Sequence, residues 1–516
     1  MNHGHESGPV LSGANDSGEP PGAARRNASR TSVLITSEGT YPYYHGGVSV
    51  WCDQLIRNAP ETDFHLFAVA HSPRLRPVFE MPPNIRTVSR LALWGTEEPG
   101  MAEIPFSEAY DRKLLTTPEA IGQEFIPSFE IVLRSAFAGL KSNPVELARA
   151  LVAMHVYFEK YDYALTFTSS ETWRCFLRCA RSHDRFLLED ATTCMRWLLR
   201  YLAIVARPYR RTNVTHASMA GLAGVPGTIC KMRFGTPFLL TEHGIYLREL
   251  YISISTMEES ENCRRFLLGW NQAIVRMNYH FADVVTCLGE FNRKWQAFFG
   301  ADASKIRFIP NGVDPNRFLP GRGNLPARPT VLTLARIFGL KGIDVLLRAA
   351  AMVRERIPNI HFRILGEVAD PVYFELCRKL VRENKLENSV EFGVTKEPEK
   401  AFGAAHVFCL PSISEGLPYT LLEAMFSGCP VVASDVGNIS ETLAGTGLLV
   451  EPNNPADLAR ALLVLLDGRQ SAEMRDRLAD AANERANRHY TMERCTRMFL
   501  NLYETLSECE QTFQIA

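Results

Sequence analysis

The sequence predicts an α/β protein made of two doubly wound parallel domains, and three observations carry that prediction. The chain has 516 residues, more than one hydrophobic core organises, so two large domains are expected. From about residue 330 onward, short apolar runs alternate regularly with helical patterns. Strands are expected near 330–335, 361–365, 389–392, 406–410, 430–433 and 447–450, which reads as a parallel sheet with crossover helices. A unit of strand, glycine-containing loop and helix also occurs twice, near residues 32–48 and near 406–425.

The second of these units organises the chain. The apolar run His406-Val-Phe-Cys-Leu410 leads into Ser412-Ile-Ser-Glu415-Gly416-Leu417-Pro418-Tyr419-Thr420-Leu-Leu-Glu423. Pro418 suits the opening of a helix, and a helix N-terminus offers free N–H groups and a favourable dipole to a phosphate. If a diphosphate binds there, Glu415 can reach a sugar at its far end and Glu423 can accept hydrogen bonds from ribose hydroxyls. An ordinary βα crossover with surface glutamates produces the same pattern, so the remaining segments must decide.

In chain order, residues 1–30 are rich in Gly, Ser, Pro and Asn, lack an apolar core and read as a disordered tail. A strand is expected at Ser32-Val-Leu-Ile-Thr36, then a loop ending in Gly46-Gly47, then a helix from Val48 that places Trp51 and Leu55 on one face. Adjacent glycines let a backbone approach a ligand, and they equally make a tight turn. A strand near 64–70 extends the sheet. Residues 105–206 form a helical insertion with one strand expected at 163–167, and a small-residue helix is expected at 219–224. His216 follows the run from Asn213, and His243 follows Thr236-Pro-Phe-Leu-Leu-Thr. Both fall at strand C-terminal ends, which face the ligand crevice of open α/β sheets. A further strand is expected at 279–287. The element Ile309-Pro-Asn311-Gly312-Val-Asp314 closes the first domain, taken as 31–300, and 301–329 connects it to a second domain at 330–490, with the clearest linker at 320–329. Arg336 and Lys341 stand five residues apart at the end of the second domain's first strand, where two cations would neutralise a diphosphate. Residues 491–516 hold an amphipathic helix and the chain end.

Composition narrows the class. A net charge of −1 supplies no positive field for coating a polyanion, so no nucleic-acid partner is expected. Twelve cysteines are scattered without a zinc-type spacing, and Cys175 with Cys179 alone makes a poor metal site. Reduced thiols and a cytoplasmic location are expected. No apolar run approaches the roughly 18 residues of a membrane span.

Together these pieces resemble the retaining glycosyltransferases of the GT-B fold, family GT4. Glu415 to Glu423 matches that family's E-x7-E motif, Arg336 and Lys341 its diphosphate clamp, Gly46-Gly47 its N-terminal glycine loop, and Ile309 to Asp314 its Pro-Asn-Gly-Val-Asp element. Within it, Thr36-Ser-Glu38-Gly39-Thr-Tyr-Pro42 and Leu240-Thr-Glu242-His243-Gly244-Ile-Tyr246-Leu-Arg248-Glu249 look like the PelF-type group, cytosolic glycosyltransferases of Pel exopolysaccharide synthesis. Ser37, which interrupts the usual Thr-Glu-Gly-Thr start, and the segment after His216 depart from that pattern.

The resemblance implies two Rossmann-like domains facing across a cleft, with the last helix crossing back to the first. It assigns the donor diphosphate to Arg336, Lys341, Gly46, Gly47 and the helix start at Leu417, Tyr419 and Thr420. It assigns ribose to Glu423, the base side to Phe392, Gly393 and Gly366, and catalytic contacts to Glu415, His243 and His216. The implied substrates are a nucleotide-sugar donor, with UDP the first expectation, and a growing glycan acceptor, with a membrane-bound polysaccharide synthesis complex as partner. The chain has no D-x-D metal motif. Protein cations then do the work of a metal, and no cofactor is expected. A GT-B epimerase or phosphorylase, and a non-catalytic nucleotide-sugar-binding subunit, remain the alternatives.

Overall fold

The run Val33-Leu-Ile35 is buried on both faces, as a central strand of a parallel sheet must be. In the computed structural model, which describes residues 30–95, 104–181, 186–321, 325–468 and 470–514 and no side chains beyond 508, it lies at the middle of a seven-stranded sheet. The strands are β1 (Ser32–Glu38), β2 (Asp63–Ala70), β3 (Ile85–Ala92), β4 (Val214–Ala217), β5 (Phe238–Thr241), β6 (Val284–Cys287) and β7 (Ile306–Phe308). Their order is β3-β2-β1-β4-β5-β6-β7, and every pairing is parallel. The chain changes direction between β1 and β4, and the crevice at such a switch point is where open sheets bind ligands.

The second sheet contains β8 (Thr330–Leu334), β9 (His361–Leu365), β10 (Val390–Gly393), β11 (Val407–Leu410), β12 (Val431–Ser434) and β13 (Leu448–Val450), each within two residues of its expected bounds. Its order is β10-β9-β8-β11-β12-β13, again all parallel, with the switch between β8 and β11. The Arg336–Lys341 loop and the Glu415 loop follow those two strands. Fold topology alone therefore brings them side by side.

Several expectations need correction. The segment 163–167 is helix Tyr163–Thr168, not strand. Asp162 caps it by accepting from the Leu165 N–H, and Tyr163 and Phe167, one turn apart, enter an aromatic cluster with Phe158. The expected strand at 279–287 begins only at Val284, because helix Glu261–Phe281 runs through Tyr279. The helix expected at 219–224 is one 3-10 turn, Leu222–Gly224, and the α-helix starts at Val225 with Pro226 in its first turn. Strand β7 lies beyond residue 300, so the first domain extends into the segment expected as a connection. The expected tail at 1–30 lies outside the described residues except for Arg30.

The helices between Pro118 and Tyr201 pack as a layer on the first domain and share one core with Leu34 and Phe67 of its sheet. Among the described residues no helix is long and apolar enough to cross a membrane.

The last helix, Met492–Gln514, crosses back as expected. Phe499, Tyr503 and Leu506, on one face, pack with Val33, Ile35, Trp51 and Leu55 of the first domain. Outgoing and returning chains meet where they cross between domains. The Val313 N–H donates to the Tyr490 carbonyl at 2.9 Å, and the Met492 N–H donates to the Val313 carbonyl at 2.9 Å. Gly312 makes this approach possible: a Cβ there would stand 2.7 Å from the Met492 Cα.

Candidate active site

In the second domain, β11 delivers the chain to Pro411, and Pro418 occupies the N-cap position of helix Tyr419–Phe426 with no side-chain cap. Between them, Glu415 Oε1 accepts from Lys341 Nζ at 2.5 Å and from Ser412 Oγ at 2.7 Å. Lys341 ends a 3-10 turn after β8, and the Ile413 N–H donates to the Leu340 carbonyl at 2.8 Å, so the two loops are joined. Gly342 adopts φ +62° against the Pro411 carbonyl; a side chain there would be both strained and obstructed. Arg336 is exposed, its guanidinium 5.4 Å from the centre of the Phe338 ring. Arg336, Lys341 and Glu415 line one side of a cavity of about 340 Å³ between the two domains.

The first domain supplies the opposite wall. Gly46-Gly47 opens helix Gly47–Arg57, and a Cβ on Gly47 would meet the Tyr419 ring at 3.7 Å, so the glycine loop faces the helix start of the second domain. Tyr419 packs into cores of both domains, and its hydroxyl is buried without a hydrogen-bond partner among the described residues. A Cβ on Gly416 would stand 2.5 Å from the His243 carbonyl, which shows how closely the donor-side loop approaches the His243 loop. Asn311 joins the two. Its Nδ2 donates to the Leu417 carbonyl at 2.8 Å, so its Oδ1 faces His243 Nδ1 at 3.1 Å and accepts that proton. His243 Nε2 is thereby left as a bare acceptor, buried beside the Trp51 ring and without a hydrogen-bond partner among the described residues. Burial pushes the His243 pKa down to about 4, which keeps the ring neutral.

Glu423 lies in helix Tyr419–Phe426, and no hydrogen bond among the described residues occupies its carboxyl. Burial raises its pKa to about 7; Arg317 nearby opposes the shift and Glu399 adds to it. Leu417 is buried just before the helix, and Thr420 is half-buried in its first turn. Gly366, after β9, packs so tightly on the Ala335 carbonyl that only glycine fits, which places it beside Arg336. Its N–H donates to the Gly393 carbonyl at 2.8 Å, and Phe392 stacks edge-on against Phe374 at 5.2 Å. Gly366 and Gly393, expected with Phe392 at the base, are thus joined beside Arg336, while Glu423, expected at the ribose, has Arg317 and Glu399 as its charged neighbours.

Residues 31–304, more than half of the chain, match the family described as a domain of unknown function, DUF3492. The chain belongs to that family. Residues 320–485 of this DUF3492 protein match the family of glycosyl transferases group 1. Among curated proteins, a D-inositol 3-phosphate glycosyltransferase of Pseudarthrobacter chlorophenolicus is 32% identical over 51% of this chain and 64% of its own length. A GDP-mannose-dependent alpha-(1-6)-phosphatidylinositol monomannoside mannosyltransferase of Mycobacterium tuberculosis is 32% identical over 40% of this chain and 59% of its own. The matches therefore span less than two thirds of these relatives. Among solved structures, a sucrose-phosphate synthase of Thermosynechococcus elongatus superposes with a TM-score of 0.60 at 22% identity, covering 93% of this chain and all of the other. HepE of Anabaena, solved with UDP and glucose, gives 0.56 at 14% identity over 92% and 99% of the two chains. The architecture is GT-B: two Rossmann-like parallel-sheet domains, the second of which carries the match to the group 1 glycosyl transferases.

Of the expected site residues of the DUF3492 protein, Arg336, Lys341 and Glu415 line the cavity and the other eleven do not, His216 among them. His216 is fully buried, with Nδ1 2.7 Å from the Tyr503 hydroxyl and Nε2 2.7 Å from Thr241 Oγ1, which in turn lies 2.6 Å from Thr286 Oγ1. Both nitrogens are engaged, and burial lowers its pKa to about 3. The ring stands behind Trp51, at 5.4 Å, and fastens the returning helix to the first sheet. His216→Ala is expected to cost about 2–4 kcal/mol of stability, from the cavity and the orphaned hydroxyls. Urea unfolding checks this, and a loss below about 1 kcal/mol would refute the fastening role.

The sequence reading assigned no role to Arg248, Glu249, Phe291 or Asn438. Arg248 Nη1 donates to Ser414 Oγ across the cleft at 2.6 Å. Asn438 Oδ1 accepts from the Phe291 N–H at 3.1 Å, and Glu441 Oε2 from the Glu290 N–H at 2.9 Å, so the second domain caps helix Glu290–Phe298 of the first. The only sequence signal was the polar density of Glu242 to Glu249 after a strand.

Proposed function

We propose that this chain is a retaining glycosyltransferase that moves a sugar from a nucleotide-sugar donor, with UDP as the nucleotide, onto a glycan. One observation carries the reading: Arg336, Lys341 and Glu415 converge on a single cavity between the domains, beside the start of helix Tyr419–Phe426. Arg336, Lys341 and that helix start hold the diphosphate, Glu423 the ribose, and Gly366 with Phe392 and Gly393 the base side. Gly46 and Gly47 close over the phosphates. Glu415 and His243 Nε2 contact the donor sugar.

In the reaction the anomeric C–O bond to the diphosphate breaks as the acceptor oxygen bonds to the same face of that carbon. The acceptor proton passes to the departing phosphate oxygen. Negative charge grows on the diphosphate, and fixed cations stabilise it where it develops. The acceptor favoured by the resemblance of 36–42 and 240–249 is a growing exopolysaccharide of the Pel type, made at the cytoplasmic face with a membrane-bound synthesis complex. A second reading is transfer to an inositol phosphate or a mannoside, the acceptors named for the curated relatives.

A thermal-shift panel of UDP, GDP and ADP tests the donor, with UDP expected to give the largest rise in Tm. Turnover of the matching nucleotide sugar separates an enzyme from a binding-only subunit. Because two protein cations stand where a metal would act, EDTA is expected to leave turnover within about twofold. Activity lost to the chelator and restored by Mn²⁺ or Mg²⁺ would refute that arrangement.

A further inference from the structure

The cavity that holds Arg336, Lys341 and Glu415 has a second wall on the first domain, built from helix Tyr246–Ser255 and the start of helix Glu290–Phe298. If Glu415 meets the donor sugar, the acceptor hydroxyl must arrive from this wall. The inference therefore rests on the glycosyltransferase reading and asks what kind of acceptor the wall admits.

The wall offers apolar surface with hydrogen-bonding groups. Ile252 is 39% exposed, and Phe291 is half-buried. Glu249 is exposed as a residue, and its carboxyl packs against Gly244, where burial raises its pKa and Arg248 and Lys341 oppose the shift. Among the described residues no hydrogen bond occupies that carboxyl. Arg248 is the one cation among the described first-domain residues that line the cavity, and it is already committed. Its guanidinium donates to Ser414 Oγ at 2.6 Å and lies 5.7 Å from the centre of the Phe291 ring. The wall's formal charges, Arg248 and Glu249, cancel. With Arg336 and Lys341 across the cavity taken by the donor diphosphate, a phosphorylated acceptor would meet the Glu249 carboxylate with no uncommitted cation on this wall, and burying that repulsion is costly. A neutral sugar suits the same surface: a ring face packs on apolar and aromatic side chains, and hydroxyls donate to a carboxylate. The surface is also held in place. Phe291 is tied to Asn438 through its N–H, and Arg248 to the loop that carries Glu415, so the wall keeps its distance from the donor sugar.

We propose that Glu249, Ile252 and Phe291 form the acceptor subsite, that it takes the terminal sugar of a neutral oligosaccharide rather than a phosphorylated acceptor, and that Arg248 positions it against the Glu415 loop. Glu249 accepts from the sugar's hydroxyls, and Phe291 and Ile252 carry its apolar face.

The test measures UDP release by the full chain from UDP-glucose, UDP-galactose and their N-acetylamino forms. Acceptors are cellotetraose, chitotetraose, maltotetraose and D-inositol 3-phosphate. At least one neutral tetrasaccharide is expected to raise release about fivefold or more over the acceptor-free rate, and inositol 3-phosphate less than about twofold. Glu249→Gln and Phe291→Ala should each raise the half-saturating oligosaccharide concentration about tenfold, the worth of one charge-assisted hydrogen bond or one buried ring contact, with UDP Kd within about threefold. Glu249→Gln is isosteric and exposed, so it keeps the test open if Phe291→Ala does not fold. Stimulation by inositol 3-phosphate above every neutral sugar, no stimulation by any neutral sugar, or unchanged half-saturation in Glu249→Gln would each overturn the assignment. A wild-type chain that neither binds UDP nor releases it from any donor would instead refute the glycosyltransferase reading, and this inference with it.

Discussion

Lys341→Ala is expected to lower kcat about 10²–10³-fold while nucleotide affinity falls much less, because the lysine acts where charge develops on the leaving diphosphate. Its ammonium is held 2.5 Å from Glu415 Oε1, and the two side chains are only 19% and 8% exposed. Donor binding must therefore exchange one partner of Lys341 for another, from a carboxylate to a phosphate. Such an exchange costs less reorganisation than drawing a solvated lysine into the site. Removing the ammonium also leaves the Glu415 carboxylate with Ser412 as its remaining hydrogen-bond partner, and an unpaired, largely buried charge destabilises the fold. Melting curves must accompany the kinetics. Lys341→Arg restores the charge with the wrong reach and should recover only part of the rate. Turnover of Lys341→Ala near that of the wild type, with normal donor binding, would reduce Lys341 to a structural ion pair.

Glu415→Ala and Glu423→Ala are expected to separate by kinetic parameter. Glu415 faces the sugar, whose charge and shape change during transfer, so its loss should lower kcat, about 10²-fold for one transition-state contact. Glu423 contacts ribose, which is the same in ground and transition states, so its loss should raise the donor KM with kcat largely kept. Glu423 adds a pH signature. Its carboxyl is raised to about 7 by burial, and ribose hydroxyls donate best to the ionised form. Lowering pH through 7 protonates it, so UDP affinity should weaken as pH falls, by up to about tenfold per unit. The sign is opposite for stability. A carboxyl that holds its proton more tightly when folded favours the folded state at low pH, and that contribution is lost as pH rises from about 4.5 to about 7. Calorimetry with Glu423→Gln, which cannot ionise, should give a flat profile. A steep profile in that variant would assign the pH dependence to another group.

The second domain was legible because its central strands β8, β11 and β12 are apolar and largely buried and the whole set alternates regularly with helices, so the runs mark β8 to β13 almost to the residue. The first domain was less so. β3 is an edge strand whose pattern is mostly exposed, with Val88 47% accessible, and it left no apolar run to find. The aromatic and β-branched segment 163–167 has strand propensity, and its packing among Phe125, Phe129 and Phe158 overrides it. The second-domain cations and glutamates lie on one sheet edge and follow from topology. The fate of His216 depends on Tyr503, 287 positions away, and Arg248 meets Ser414 across 166. No local pattern announces partners at that range.

Both described ends of the chain belong to the first domain: it begins in β1 and ends in the helix Met492–Gln514 laid over the same sheet. The second domain is in effect a long loop spliced into the first, and it hangs from two strands of chain that are hydrogen-bonded to each other at Val313, Tyr490 and Met492. A single tether would let the hung body swivel. A two-ply tether bends more easily than it twists, so opening of the cleft is expected to follow a door-like arc about that ply. A door returns to the same jamb, and here the jamb is the meeting of Gly416 with the His243 carbonyl and of Arg248 with Ser414. Fidelity of closure is thus written into the route of the backbone.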